Sequence, residues 1–406
     1  MKKFTPPIPQ TEEVKLLEQK QDKQENINQL EIKENTELTK TITSIYNNQL
    51  STSSSKNSNP AYFILSSSQL TELKQISEKI FKLANESLLD IIKQENIEPW
   101  MESRYGAVKS LWENSQTGIN LMRIDFAWDQ TGNWQALELN TSSHSGWIKS
   151  GLVEKESAAD KIGIPLAPEP MFYAKYVLEK LGSRIAIMVK GIEYNKELDL
   201  LLIQLENLGG KGRIIVLSET ALSEITDFAP TGLFWRCHAA LVEHSELVLK
   251  LAKLSRPQIS SFESLFISGD KSFLATLRER DTTGAIPKTC VLSKNNLVQN
   301  LSWLEKDQVV LKPGDLARGE KVFFGKNFTK KGWEEKIKEA MSSSEEWILQ
   351  ELCYLSKTEE GKYQDIIVFL ADGKVQGISS RVSDHEIVNV AKGGYVQAAV
   401  LCPDKL

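Results

Sequence analysis

The stretch "LMRIDFAWDQTGNWQALELN", residues 121–140, constrains this chain more than any other. Two apolar runs, 121–129 and 134–140, alternate like strands, and "DQTGN" (129–133) sits between them as a hairpin turn. The polar residues of the runs are Arg123, Asp125 and, at the turn, Asp129 in the first, and Gln135, Glu138 and Asn140 in the second. Side chains two apart on a strand share a face, so Arg123 lies with Asp125, and Glu138 with Asn140. Neighbouring strands lie about 4.8 Å apart, so same-facing carboxylates on a hairpin converge. Asp125, Glu138 and the Asn140 amide oxygen together form an oxygen donor set suited to magnesium, which prefers octahedral oxygen ligands and commonly bridges phosphates. An ordinary exposed hairpin ending in Glu and Asn is the plainer reading of the pair taken alone.

A metal site of this kind usually serves a nucleotide phosphate, and nothing before residue 136 looks able to hold one. The remainder must come from downstream. The 406 residues suffice for two or three structural units around a substantial core. A hydrophobic share of 41%, a charged share of 25% and a net charge of −5 are ordinary for a soluble globular chain, imply no basic face and argue against nucleic acid as a partner. No apolar run approaches the ~20 residues of a membrane span, and "MKKFTPPIPQTEEVK" lacks the apolar core of a secretory signal. The four cysteines (Cys237, Cys290, Cys353, Cys402) form no C-x-x-C pair, which fits a reduced chain. These features predict a cytoplasmic protein with no membrane partner.

Four regions are expected. Residues 1–59 are polar, with "STSSSKNSN" as a linker, and read as disordered or as a peripheral helix. Residues 60–182 open with a helix over 68–93, with Ser68 as its N-cap and a second helical stretch near 106–113, and include the hairpin. Residues 183–267 alternate strand and helix: strands at 184–190, 212–218 and 232–237, helices at 195–208 and 244–254. That is the pattern of a small parallel α/β unit. Residues 268–406 hold a helix after Asp270, a strand "QVVLKPG" (308–314) with the hairpin partner "EKVFFG" (320–325), a helix at 331–341, a strand "EWILQEL" (346–352) and a strand pair around Asp372–Gly373. No internal repeat is present.

The chemistry of this last region lies in "VVLKPGDLARGEKVFF" (309–324). Gly314 and Gly319 let backbone N–H groups approach phosphate oxygens, and Lys312, at a strand end, can reach a phosphate as a point charge. Because a strand follows, the loop is not a Walker loop. A solvated strand-end lysine is the alternative. Lys271 sits at a helix start, where a phosphate is also welcome. "WILQELC" puts Gln350 and Glu351 at a strand end suited to reading adenine, and "GISSRVSDHEIVNVAKGGY" supplies Arg381, Asn389 and a second glycine pair.

In this order, "DK … VVLKPG … WILQEL … DGKVQGISSR … NVAKGG" resembles the nucleotide-binding part of an ATP-grasp ligase. That family normally continues into a carboxylate and Glu-x-Asn, whereas here those residues lie upstream. The order is similar to circularly permuted ATP-grasp enzymes, above all the synthetase domain of glutathionylspermidine synthase and its relatives, over roughly residues 60–406. The resemblance implies an α/β fold with α+β character: a circularly permuted ATP-grasp fold beside a small Rossmann-like parallel α/β domain. It implies ATP and Mg2+, held by Lys271, Lys312, Gly314, Gly319, Gln350, Glu351, Leu352, Cys353 and Asn389, with Asp125, Glu138 and Asn140 on the metal. Arg123, Arg318 and Arg381 would face the transferred phosphate, although "KPGDLARGE" departs from the family's loop and leaves its register open.

The substrate side is less specific. "TSSHSGW" (141–147) follows the metal ligands directly, so Ser143, His144, Ser145 and Trp147 are candidates to line the reacting centre, with His144 equally a plain loop histidine. Arg236, at a strand end of the α/β unit, suits a substrate carboxylate or a structural salt bridge. Cys237 and His238 point to opposite faces of a strand and make no nucleophile pair. The resemblance implies an ATP-dependent carboxylate–amine ligase acting on an amino acid, small peptide or polyamine, with a homodimer as one assembly open to it. A phosphotransferase and a non-catalytic nucleotide-binding scaffold are the alternatives.

Overall fold

The computed structural model describes residues 62–93, 98–106, 109, 118–128, 132–141, 145–157, 159–190, 196–237, 245–252, 254, 256–261, 264–292, 305–314, 319 and 321–402. All belong to the unit Pro60–Leu406; the other unit, Met1–Asn59, lies outside the described residues, as does most of the 106–113 stretch.

Along the chain, β1 (Phe63–Leu65) leads into α1 (Ser67–Ile92) and α2 (Pro99–Tyr105). The hairpin follows as β2 (Leu121–Trp128) and β3 (Trp134–Asn140), then α3 (Trp147–Glu156), β4 (Ile164–Pro165) and α4 (Phe172–Leu181). The alternating region comprises β5 (Arg184–Val189), α5 (Lys196–Asn207), β6 (Lys211–Val216), α6 (Ala221–Phe228), β7 (Gly232–Trp235), α7 (Ser245–Ala252) and β8 (Gln258–Ile259). The C-terminal region runs α8 (Phe273–Arg280), β9 (Thr289–Val291), β10 (Val309–Pro313), β11 (Phe323–Phe324), α9 (Lys330–Ser342), β12 (Trp347–Glu351), β13 (Ser356–Lys357), β14 (Tyr363–Ala371), β15 (Lys374–Ser383) and β16 (Tyr395–Leu401).

Three sheets result. The largest has the order β1-β16-β15-β14-β2-β3, with β13 on β14 and β4 on β16. The early hairpin thus lies beside the late strands: Asp125 stands opposite Ile367 of β14, and Arg381 of β15 stands opposite Asp365. A four-stranded antiparallel sheet runs β11-β10-β12-β9, and a four-stranded parallel sheet runs β6-β5-β7-β8.

The helix α1 forms because Leu70, Leu73, Ile80, Phe81, Ala84, Leu88 and Ile91 recur at helical spacing and bury one face. Its N-cap is Ser66, not Ser68. Ser66 Oγ accepts from the Gln69 N–H at 3.2 Å and Gln69 Oε1 accepts from the Ser66 N–H at 2.9 Å, a reciprocal box that Ser68 does not make. The buried face of α1 joins Ile124, Phe126, Ile366, Val368, Leu370 and Ile378 in one core cluster. The opposite face of β2 is left for Arg123 and Asp125. In the smaller antiparallel sheet Val309, Leu311, Trp347 and Leu349 pack under Trp333 and Ile337 of α9, which leaves Val310, Lys312, Ile348 and Gln350 on the other face.

The segment 166–170 is threaded through a narrow gap. A Cβ on Gly151 of α3 would stand 2.4 Å from Pro168 O, and one on Gly377 of β15 would stand 2.2 Å from Pro168 N. Between them, the Glu154 carboxylate accepts the Leu166 and Ala167 N–H groups, both at 2.7 Å. Both clashes involve backbone, which cannot swing aside as a side chain can. Gly377→Ala is therefore expected to destabilise the fold by about 1–3 kcal/mol, read as a lower urea midpoint with an unchanged slope.

Candidate active site

The polar face of the largest sheet carries a web of buried charge. Arg123 grips Asp125 with two parallel bonds, Nε to Oδ1 at 2.7 Å and Nη2 to Oδ2 at 2.9 Å. Arg381, from β15, donates through Nη2 to the same Asp125 Oδ2 at 2.7 Å and through Nε to Asp365 Oδ1 at 3.0 Å. Asp125 and Asp365 are each 2% exposed. Two guanidiniums and two carboxylates are thus locked across three adjacent strands in fork geometry.

Next to this web, Glu138 is half-buried. Arg123 Nη2 lies 3.8 Å from its Oε1, Lys271 Nζ lies 3.8 Å from its Oε2, and Asn140 Nδ2 donates to Oε1 at 3.1 Å. Burial pushes the Glu138 carboxyl up, but Lys271, Arg123, Lys312 and the Asn140 bond together outweigh it and hold the group at about 2. Lys312 reaches across from the smaller sheet and donates to Leu137 O of β3 at 3.0 Å. Burial pushes its ammonium down to about 8; Glu138 opposes that shift and Lys271 adds to it. Burial likewise pushes Asp365 up to about 6 against its pairing with Arg381, with the Asp125 charge adding to the rise. Arg381 is held charged: burial works against it, and Asp125 and Asp365 prevail.

The neighbouring chain sets these side chains in place. Asp270 accepts from Tyr105 OH and from the Ser272 N–H, both at 2.8 Å, which fixes the turn carrying Lys271. The Lys271 N–H in turn donates to Gly314 O at 2.8 Å. Gly319 adopts φ +65° and approaches Ile387 so closely that a Cβ would meet Cγ2 at 2.4 Å, while Lys392 Nζ donates to Gly319 O at 2.9 Å. Only glycine suits both conditions.

The expected residues divide into groups. Arg123, Asp125, Glu138, Asn140, Lys271, Lys312 and Arg381 are brought together. Gln350 stands opposite Val310 on the Lys312 face and donates to Thr289 Oγ1 at 3.1 Å. Glu351, Leu352 and Cys353 continue from its strand, with the Leu352 N–H bound to Gln308 O. Asn389 heads the turn that places Lys392. Ser145 contributes a carbonyl, which accepts from Arg123 Nη1 at 3.0 Å. Trp147 is placed in the core, 1% exposed, its ring stacked on Tyr173 and packed against Phe369. Arg236 is also buried and donates to Tyr173 OH at 3.2 Å. Burial holds the Cys237 thiol protonated, at about 12, so it is no nucleophile at neutral pH. Arg318, Ser143 and His144 lie outside the described residues. Asp365 was not anticipated. Its one signal is a lone carboxylate in the apolar run "DIIVFLA", the same signal that singled out Asp125.

The donor set fits a hard divalent cation in chemistry. Glu138 is ionised and, with Asn140, supplies oxygens from one strand face, while Asp125 stands opposite Glu138 in register. Both Asp125 oxygens already accept arginine N–H groups, so its share in a metal shell is smaller than that of the other two. Among the described residues no group of three or more His, Cys, Asp or Glu side chains stands ready to hold a metal, and no helix is long and apolar enough to cross a membrane.

No family model and no curated protein matches the chain. Solved structures of similar shape include a Methylobacillus flagellatus KT protein assigned as a gamma-glutamylcysteine synthetase, 12% identical over 78% of this chain and 85% of that one, at a TM-score of 0.40. D-cycloserine synthetase DcsG is 14% identical over 52% and 74%, at 0.38. The D-alanine–D-alanine ligase of Bacillus anthracis is 13% identical over 53% and 86%, at 0.29. Likeness at this level decides no activity, so what the site can do is decided by its residues.

Removing one member of the buried web leaves the others uncompensated. Asp365→Ala is expected to cost about 3–5 kcal/mol of folding stability and Asp365→Asn less, as read by urea denaturation. A second expectation concerns pH. The folded Lys312 value of about 8 lies below the ~10.4 of an unfolded lysine, so between these values the unfolded chain binds the extra proton. Stability from this group therefore rises with pH through that window. Lys312→Met should flatten the rise when unfolding midpoints are followed from pH 7.5 to 10.5.

Proposed function

We propose that the protein is an ATP-dependent carboxylate–amine ligase that forms an amide bond through an acyl phosphate and releases ADP and phosphate. The observation that carries this reading is the convergence of Arg123, Lys271, Lys312 and Arg381 around Glu138 and Asp125. Four cations face three carboxylates once Asp365 is counted, an excess that suits a polyphosphate brought with its metal. In this reading the fold is a circularly permuted ATP-grasp. Residues 268–406 hold the nucleotide, the hairpin within 60–182 supplies the metal ligands, and the parallel unit of 183–267 is a Rossmann-like domain on the acid-substrate side.

Glu138 and Asn140, supported by Asp125, would hold Mg2+, which when bound would neutralise phosphate charge and so favour attack at the γ-phosphorus. Lys271 and Lys312 bind the phosphates as point charges from the nucleotide side. Arg123 and Arg381 present planar forks to the transferred phosphoryl group. A substrate carboxylate oxygen attacks the γ-phosphorus, the bond to the β–γ bridging oxygen breaks, and ADP leaves. An amine nitrogen then attacks the acyl carbon, the C–O bond to phosphate breaks, and the nitrogen's proton passes to solvent. Neither step requires a protein nucleophile; the chain contributes positioning and charge stabilisation.

The test is an ADP-release screen of amino acids and small peptides against an amine panel, with product masses read out. ADP release that depends on both acid and amine, with a product of their summed mass less water, is the expected result. A phosphorylated product without the amine would make the protein a phosphotransferase instead. Glu138→Gln should lower ADP release by about 100-fold or more while leaving the chain folded.

A further inference from the structure

The sequence gives no hint that the parallel unit touches the charged web, yet one carboxylate links the two. Glu197, in the first turn of α5, is 6% exposed. Its Oε2 accepts the Gly146 N–H at 2.7 Å and its Oε1 accepts the Ile148 N–H at 2.9 Å. These N–H groups open α3, where a carboxylate is favoured by the helix dipole. A helix cap alone would end the matter there.

The Gly146 N–H, however, belongs to the peptide plane whose carbonyl is Ser145 O, and that oxygen accepts from Arg123 Nη1 at 3.0 Å. One rigid planar unit is therefore held by a carboxylate at its nitrogen end and a guanidinium at its oxygen end. Hydrogen bonds in series polarise one another, and both of these are charge-assisted. The plane takes this orientation because Gly146 has φ +103°, and because it lies against Phe369, where a Cβ would come to 3.5 Å from Cζ. Phe369 is itself the cross-strand partner of Arg123. With Nε and Nη2 taken by Asp125 and one Nη1–H taken by Ser145, the direction of Arg123's two remaining N–H groups is set.

We propose that Glu197 is a positioning residue for Arg123: acting through the Ser145–Gly146 peptide, it aims the guanidinium at the terminal phosphate of the nucleotide, and so ties the parallel α/β unit to the phosphoryl-transfer site. This rests on the ligase reading to the extent that the anion at Arg123 is the γ-phosphate of ATP. The consequence is a preference for ATP over ADP that depends on a residue touching neither.

Calorimetric titration of the full chain with Mg-ATP and with Mg-ADP tests this without turnover. In Glu197→Gln the amide NH2 faces one of the two backbone N–H groups, so one bond of the pair is lost. ATP affinity is then expected to fall about tenfold, the scale of one hydrogen bond to a charged group, with ADP affinity within twofold of wild type. Arg123→Lys should show the same selective loss, and the double variant no further loss, since the two act on one contact. Leu201→Ala, a buried α5 neighbour, should lower the Tm and leave both affinities unchanged. If Glu197→Gln does not fold, Glu197→Asp keeps the charge but withdraws it, and a smaller selective loss of ATP affinity is expected.

An ATP-over-ADP preference unchanged in a folded Glu197 variant, while Arg123→Lys abolishes it, overturns the proposal and leaves the ligase reading standing. Absence of binding of either nucleotide by the wild type overturns both.

Discussion

The double arginine clasp on Asp125 is the interaction on which the rest of this site depends. Taking two carboxylates and two guanidiniums out of water costs several kcal/mol per ion, and the cost is offset only when geometry and pairing are both complete. Here completeness requires β2, β14 and β15 in one register, because Asp125 sits opposite Ile367 while Arg381 sits opposite Asp365. A slip of one residue in any of these strands would turn a charge into the α1-facing core. The web therefore adds little net stability, but it penalises every other register. It also delivers two arginine forks whose directions are fixed before any ligand arrives, the condition under which charge stabilisation needs no rearrangement.

The two sides of the site are built on different principles. The large sheet supplies arginines, permanently charged and held by carboxylates. The smaller sheet and the turn before α8 supply lysines, compact charges on long stems. Lys312 donates to a backbone carbonyl of β3 and Lys271 lies 3.8 Å from Glu138. One wall is thus held by paired ions, and the other carries ammonium groups on flexible stems, Lys312 on a neutral carbonyl and Lys271 beside the Glu138 carboxylate.

How much of this was legible follows from the range of the signals. The hairpin, the glycine-containing strand and the alternating unit were legible because period-two and helical patterns are local, and Glu138 and Asn140 were fixed on one face by that period alone. The expected strands at 184–190 and 212–218 appear as β5 and β6, within a residue or two at their ends. Asp365 was not legible as a site residue, since its partner Arg381 is sixteen residues away and only the β14–β15 register brings them together. The helix α3 was missed because its buried side includes Ser150 and Gly151, which carry no apolar period; Gly151 packs closely against Pro168 and Pro170. Trp147 was expected to line the reacting centre because it follows the polar run "TSSHSG"; the rings that cover it, Phe172, Tyr173 and Phe369, come from two other elements and carry no local signal.

The topology explains why the site needs such distant parts of the chain. The hairpin β2–β3 could bury its apolar side against α1 with local contacts alone, but its charged side has no local partner. Residues 121–140 carry Arg123, Asp125 and Glu138, and among the described residues the opposite charges that meet them from outside the hairpin include Lys271, Lys312, Asp365 and Arg381, all beyond residue 270. The largest sheet is closed by pairs of comparable separation, with Phe63 of β1 beside Ala399 of β16 and Ile124 of β2 beside Val368 of β14. Loop-closure entropy must be met before such contacts contribute, so hydrophobic burial around α1 has to carry assembly until the strands align. Pairing on the charged face requires the same strand register that the core sets.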